Sequence, residues 1–168
     1  SLSYVKHELG LQSAEDVVLP SPFHYESQCK LYLPPKMPEP NTFEFTLAAT
    51  EEVNKIVNYT EGGAFVLFTS VENMRKVSDA LIPNLPYPCK VQGELPRQKL
   101  IDWFKATENA VLFATATFWE GIDIPGQALR CVIMDKLPFM PPGDPVNQAT
   151  VDYMKQHGQD WFNGYVLP

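Results

Sequence analysis

Three stretches of the chain are apolar without interruption: Ala64 to Phe68 leading into Thr69, Ala110 to Thr115, and Cys131 to Met134. Each is too short for a stable helix and is bounded by turn residues, which predicts strands buried on both faces. Between them apolar residues recur at helical spacing, as Val53, Ile56 and Val57, then Val71, Met74, Val77 and Leu81, then Leu100, Ile101 and Phe104. Thr50 is placed to cap the first of these helices, with Glu51 and Glu52 in its first turn and Gly62-Gly63 ending it. Ser70 is placed to cap the second, and Pro96 sits near the start of the third, where a missing N–H costs nothing. A last helix is expected from about Val146 to His157. Fully buried strands alternating with amphipathic helices imply an α/β fold of three layers, α/β/α, around a mainly parallel sheet.

The ends of the chain read differently. Leu2, Val5, Leu9 and Leu11 suit a short helix stopped near Gly10. Asp16 to Leu19 reads as a strand broken by Pro20-Ser21-Pro22, and the alternating Lys30 to Leu33 as an edge strand closed by Pro34-Pro35. Pro34 to Pro40 holds four prolines in seven residues and reads as an extended connector. Residues 1–45 are thus expected to hold leading strands and a Pro-rich connector, and 46–168 the main α/β body. Pro138 to Pro145 reads as a stiff loop.

A chain of 168 residues, 45% hydrophobic and 12% aromatic, can bury a core of its own. No apolar run approaches the ~20 residues that span a bilayer, and no signal segment precedes the first strand, so a soluble, cytoplasmic protein is expected. Cys29, Cys89 and Cys131 are isolated from one another and read as reduced, buried thiols. His7, His24 and His157 have no partners at metal-ligand spacing, and no metal site is expected. The net charge of −7 argues against a self-sufficient nucleic-acid binder, which normally shows a basic footprint.

The chemistry concentrates where the second apolar run ends. Thr115 to Gly126 has the spacing T-x4-E-G-x-D-x-P-G, delivering a hydroxyl, two carboxylates and a flexible glycine just past the end of a strand. Open α/β sheets place their ligands there. This spacing resembles the fifth signature motif of superfamily 2 helicases, and its Phe118-Trp119-Glu120-Gly121-Ile122-Asp123 form resembles the DinG/XPD-type branch of DNA helicases. The likeness extends along nearly the whole chain, in order. Phe65 to Ser70 resembles motif IV. Gln92-Gly93-Glu94 with Arg97, Leu100 and Phe104 resembles the segment written H-G-x5-R-x4-F, with Gln at the His position and Arg97 one place early. Asp135-Lys136-Leu137-Pro138-Phe139 resembles the strand and loop that follow motif V. Leu9-Gly10-Leu11, Ser21-Pro22-Phe23 and Leu31 to Pro34 resemble the family's approach to its second motor domain.

That resemblance implies a second, C-terminal RecA-like domain and assigns roles within it. Thr69, Ser70, Gly93 and Thr115 would grip single-stranded DNA phosphates, with Lys136 and a base-stacking Phe139 beside them. Glu120, Gly121 and Asp123 would form the ATP cleft and couple it to movement, Asp123 facing the nucleotide ribose or the arginine that reaches its phosphates. Each has a plainer alternative: Ser70 as a helix cap, Gly93 as a turn glycine, Thr115 as a strand-end hydroxyl, the two carboxylates as turn caps, Phe139 as packing. No G-x-x-x-x-G-K-[ST] loop and no D-E-x-H box occurs, so triphosphate and magnesium binding fall to the N-terminal RecA-like domain of the same polypeptide. The family's Q-x-x-G-R-x-x-R arginines would follow Tyr165 to Pro168, so the chain is expected to stop before motif VI. An iron–sulfur cluster, which needs four clustered cysteines, is expected only in an N-terminal part. The implied parent is an ATP-dependent DNA helicase using ATP and Mg2+, this chain alone being inactive. A DinG-like nuclease or ATPase without unwinding, and a non-catalytic α/β interaction module, stay as alternatives.

Overall fold

The computed structural model describes residues 2, 5, 6, 9–118, 120–137 and 145–162. It divides into two compact units, Pro34–Pro138 and a second made of Ser1–Leu33 with Phe139–Pro168.

The Pro34–Pro138 unit is built on four strands: β1 (Ala64–Phe68), β2 (Cys89–Val91), β3 (Val111–Thr115) and β4 (Cys131–Met134). They form one sheet in the order β2-β3-β1-β4, and every pairing is parallel. β1 is buried at all five positions and β3 at four of five, which is why both read as unbroken apolar runs. The register sets Phe68 beside Thr115, Leu67 beside Met134 and Val91 beside Phe113, so the four carboxyl ends lie at one edge of the sheet.

Helices α1 (Phe43–Tyr59) and α2 (Val71–Leu81) cover one face, and α3 (Arg97–Ala106) covers the other. On the first face Val53, Val57, Met74, Val77 and Leu81 pack against Val66, Phe68, Val111 and Phe113. On the second, Leu100, Ile101 and Phe104 pack against Phe65, Leu67, Leu112 and Ala114. Alternate residues of β1 and β3 thus feed opposite cores, whereas the edge strand β4 packs Cys131 and Ile133 on the first face and leaves Val132 and Met134 exposed. The three layers are the α/β/α arrangement of a RecA-like domain.

The helix ends follow local chemistry. Ser70 caps α2 by accepting a hydrogen bond from the Asn73 amide at 3.2 Å. α1 starts earlier than its apolar spacing suggests: Thr42, not Thr50, is the cap, accepting from Phe45 N at 3.1 Å. Thr50 instead lies inside the helix, its hydroxyl returned to the Thr46 carbonyl at 2.7 Å. Buried Phe45 and Ala49 continue the stripe of Val53 and Val57 backwards, so packing extends the helix through the expected start. Gly62 ends α1 at φ +73, and a Cβ there would stand 2.1 Å from the Asn109 carbonyl oxygen. Only glycine fits that close approach.

Strand β2 is an element the apolar pattern does not announce. It has three residues, follows Pro86 and Pro88, and among the described residues pairs along one side only, with β3.

In the other unit the chain turns at Gly10, φ +67, with Leu9 N donating to Val5 O at 3.0 Å, consistent with a helix stopping there. One helical turn spans Tyr25–Gln28, and α4 runs Pro145–Gln156. Asp16 to Leu19 and Lys30 to Leu33, expected as strands, join no sheet among the described residues. Val17, Val18 and Leu19 are 74%, 77% and 81% exposed, so apolar character alone does not make a strand without a neighbour to pair with. The cysteine expectation also needs correction: Cys29 is exposed, whereas Cys89 and Cys131 are partly buried. Burial, followed by the nearby Glu94 charge, pushes the Cys89 thiol up to about 11, and burial likewise raises Cys131. No helix among the described residues is long and apolar enough to cross a membrane.

Candidate functional site

Because every strand is parallel, the segments leaving all four emerge at the same edge. Thr69 and Ser70 follow β1, Gln92 and Gly93 follow β2, Thr115 ends β3, and Asp135 and Lys136 follow β4. Residues scattered over the sequence are gathered there by topology alone.

The loop after β3 is held by two side chains. Gln92 extends the ladder with its backbone, donating to Phe113 O at 2.8 Å. Its side-chain Oε1 accepts both the Thr115 amide, at 2.7 Å, and the Thr115 hydroxyl, at 3.0 Å. An amide N–H can only donate, so it fixes which end of the Gln92 amide faces Thr115. The Thr115 proton is therefore spent on Gln92, and its Oγ1 must accept from Thr117 Oγ1, 3.2 Å away. Thr117 is the exposed end of this hydroxyl chain.

Arg97 is the second support. Placed in the first turn of α3, with no acidic residue and no side-chain cap there, its cation opposes the helix dipole. The guanidinium turns to the loop instead, donating to Phe118 O from Nε at 3.3 Å and Nη2 at 3.1 Å, and to Glu120 O. It also lies 5.6 Å from the centre of the Phe118 ring. Phe118 is buried under α3. The loop is thus held at Phe118 and at Glu120, next to Gly121 and Asp123. Gly121 takes φ +68, a left-handed turn that glycine adopts without strain. Glu120 and Asp123 are exposed, and their carboxylates make no hydrogen bond or ion pair among the described residues.

At the β1–β4 side of the edge, Thr69 donates its amide to Asp135 Oδ1 at 3.0 Å. Asp135 Oδ2 is buried with no hydrogen-bond partner among the described residues. Burial raises the pKa of this carboxyl, opposed first by the Thr69 amide and then by Lys136. Its neutral form suits the fold better: the associated stability is present at low pH and is lost as pH rises through the raised value. Lys136 donates to Asn41 Oδ1 at 2.8 Å and stands 5.8 Å from the Phe45 ring centre, which ties β4 to the start of α1. Phe139 lies outside the described residues.

At β2, Gly93 adopts φ +100, and a Cβ there would meet Arg75 Nη2 at 3.3 Å. Arg75, on α2, donates from the same nitrogen to Gln92 O at 3.3 Å. Among the residues expected in the site, then, Gly93 and Thr115 stand together through Gln92, Thr69 and Lys136 through Asp135, and Glu120 to Asp123 on the Arg97-held loop. Thr117, Arg75 and the anchoring role of Arg97 were not foreseen. Only the motif spacing around Gln92 and Arg97 could have signalled them, because a threonine or an arginine on a polar surface carries no pattern of its own.

Residues 53–168 match the model of the helicase C-terminal domain family. The chain belongs to that family. Across 99% of its length this helicase C-terminal domain is 34% identical to the ATP-dependent DNA helicase YoaA of Escherichia coli (strain K12). It is 34% identical over 95% of its length to YoaA of Haemophilus influenzae, and 33% identical over 99% to the ATP-dependent DNA helicase DinG of Photobacterium profundum. It spans about a quarter of each relative, covering 26%, 25% and 25% of their lengths. The matches are consistent with the C-terminal helicase domain of a DinG-type helicase.

Proposed function

We propose that this domain is half of an ATP-driven DNA motor, in which the shared carboxyl edge of the sheet holds a single strand and completes an ATP cleft made with a second RecA-like domain of the same polypeptide. The observation that carries this reading is the exposed pair Glu120 and Asp123, whose carboxylates have no partner among the described residues, presented by a loop whose backbone Arg97 holds. Two such carboxylates on a braced loop suit contacts to a ribose or to an arginine from across a cleft. They do not suit a triphosphate, which needs cations and amides, and no phosphate-cradling glycine loop occurs in the chain. ATP would supply the free energy of movement; Asp123 and Glu120 would orient its sugar and the charged groups around it. Magnesium and the phosphates would be held by the other domain. Thr69, Ser70, Gly93 and Thr115, with Lys136 and Phe139, would line the strand's path.

The hydrogen bonds refine those roles. Ser70 is engaged as a cap, and its helix end still offers its first turn to an anion. Thr115 acts through position, its hydroxyl bound to Gln92, and Thr117 is the better-placed contact. Because Arg97 braces the coupling loop, Arg97→Met in the full-length protein is expected to reduce DNA-stimulated ATP turnover about tenfold. Thermal unfolding should move little, since the arginine is exposed. Equal turnover in the variant would remove Arg97 from the mechanism.

Unwinding separates this reading from its rivals. The full-length protein, given a tailed duplex, ATP and Mg2+, is expected to release intact strands. Shortened strands would favour a nuclease, and an unchanged duplex without ATP consumption would favour an interaction module.

A further inference from the structure

The turn after β2 gathers donors that the roles above leave unused. Gln92 commits Oε1 to Thr115, which leaves Nε2 with two N–H groups and no partner among the described residues. The Gly93 amide likewise donates to none of the described residues, and the turn is held at φ +100. Arg75 spends Nη2 on the Gln92 carbonyl, and no other nitrogen of its guanidinium is bonded among the described residues. The absent Cβ of Gly93 would stand 3.3 Å from that same nitrogen, so the glycine leaves open the space beside the cation. Arg75 pairs with no carboxylate among the described residues, unlike Lys76, which binds Glu72 at 2.7 Å, and Lys90, which lies 3.8 Å from Glu94. A guanidinium without a carboxylate partner among the described residues, a side-chain amide and a backbone amide around one glycine turn have the chemistry of a phosphate site.

We propose that Arg75, Gln92 Nε2 and the Gly93 amide form one phosphate-binding corner that takes a phosphodiester of the bound single strand. The assignment rests on the reading of this edge as a DNA path and adds to it two residues, Arg75 and Gln92, with a division of labour inside the glutamine. Its oxygen positions the loop after β3, and its nitrogen contacts the strand. One side chain thereby joins the grip on DNA to the loop that carries Asp123.

Fluorescence anisotropy of a labelled oligothymidylate on the full-length protein without nucleotide, over a range of salt concentrations, tests the corner. Arg75→Gln removes the cation from an exposed position and leaves the fold intact. It is expected to weaken binding about tenfold and to lower the slope of log affinity against log salt by about 0.7, the value for one lost phosphate contact on a single strand. Gln92→Glu keeps the inward oxygen for Thr115 and replaces the outward donor with an acceptor. It is expected to weaken binding about 10- to 100-fold while thermal unfolding stays at the wild-type temperature. An unchanged slope for Arg75→Gln, or wild-type affinity for a folded Gln92→Glu, overturns the corner. A raised KM for ATP with intact DNA affinity would assign the phosphate to the nucleotide and overturn it too. If the wild-type protein itself binds no oligothymidylate, the reading of the whole edge fails and the corner falls with it. Binding by the wild type with indifferent variants refutes the corner alone.

Discussion

Truncating Phe104 to alanine is expected to lower the stability of the Pro34–Pro138 unit by about 3–5 kcal/mol. Phe104 has no exposed surface and sits at the centre of the core between α3 and the sheet. Its ring meets Phe65 edge-on, with centroids 4.5 Å apart, a geometry that adds to the gain from burial. Leu100 and Leu112, both fully buried, flank the same core and cannot both move to fill the gap. Urea unfolding would report the loss as an earlier midpoint with a similar slope. Phe104→Leu, which keeps most of the volume, should cost far less. A loss below about 1 kcal/mol for the alanine variant would mean that α3 is not packed as described.

The second large effect concerns activity without stability. Asp123→Ala in the full-length protein is expected to reduce DNA-stimulated ATP turnover by about 100-fold or more, the scale of removing one fixed electrostatic contact from a reacting site. The unfolding temperature should not fall, because Asp123 is exposed and its carboxylate stabilises nothing among the described residues. Asp123→Asn, which keeps the shape and loses the charge, separates a ribose contact from an arginine contact: asparagine can still bond a hydroxyl but cannot pair with a cation. Wild-type turnover in both variants would return Asp123 to the surface.

What could be read from the sequence, and what could not, divides along physical lines. Strands β1 and β3 were legible because both faces are covered, leaving no polar residue in Ala64–Phe68 and only a terminal threonine in Val111–Thr115. α2 and α3 were legible from the spacing of Met74, Val77 and Leu81 and of Leu100, Ile101 and Phe104, all of them buried. β2 was not, since a three-residue edge strand carries too few buried positions to form a pattern. The start of α1 was misplaced because Thr50 has the same local chemistry as Thr42, and only the burial of Phe45 distinguishes them. Asp16 to Leu19 shows the reverse error, an apolar segment that pairs with no sheet among the described residues. For the site, spacing located the residues that follow the strands. It could not reveal that Thr115 is occupied by Gln92, or that the Arg97 side chain spends its charge on carbonyls 21 and 23 residues away. Those bonds depend on tertiary contacts between separate loops.

The central claim is that this edge belongs to a motor driven by ATP and engaged by DNA. Its most direct test is the rate of ATP hydrolysis by the full-length protein with Mg2+, measured with and without single-stranded DNA. Hydrolysis that rises at least severalfold when the strand is added is the predicted result. Hydrolysis that is absent, or that proceeds at the same rate with and without the strand, would contradict it.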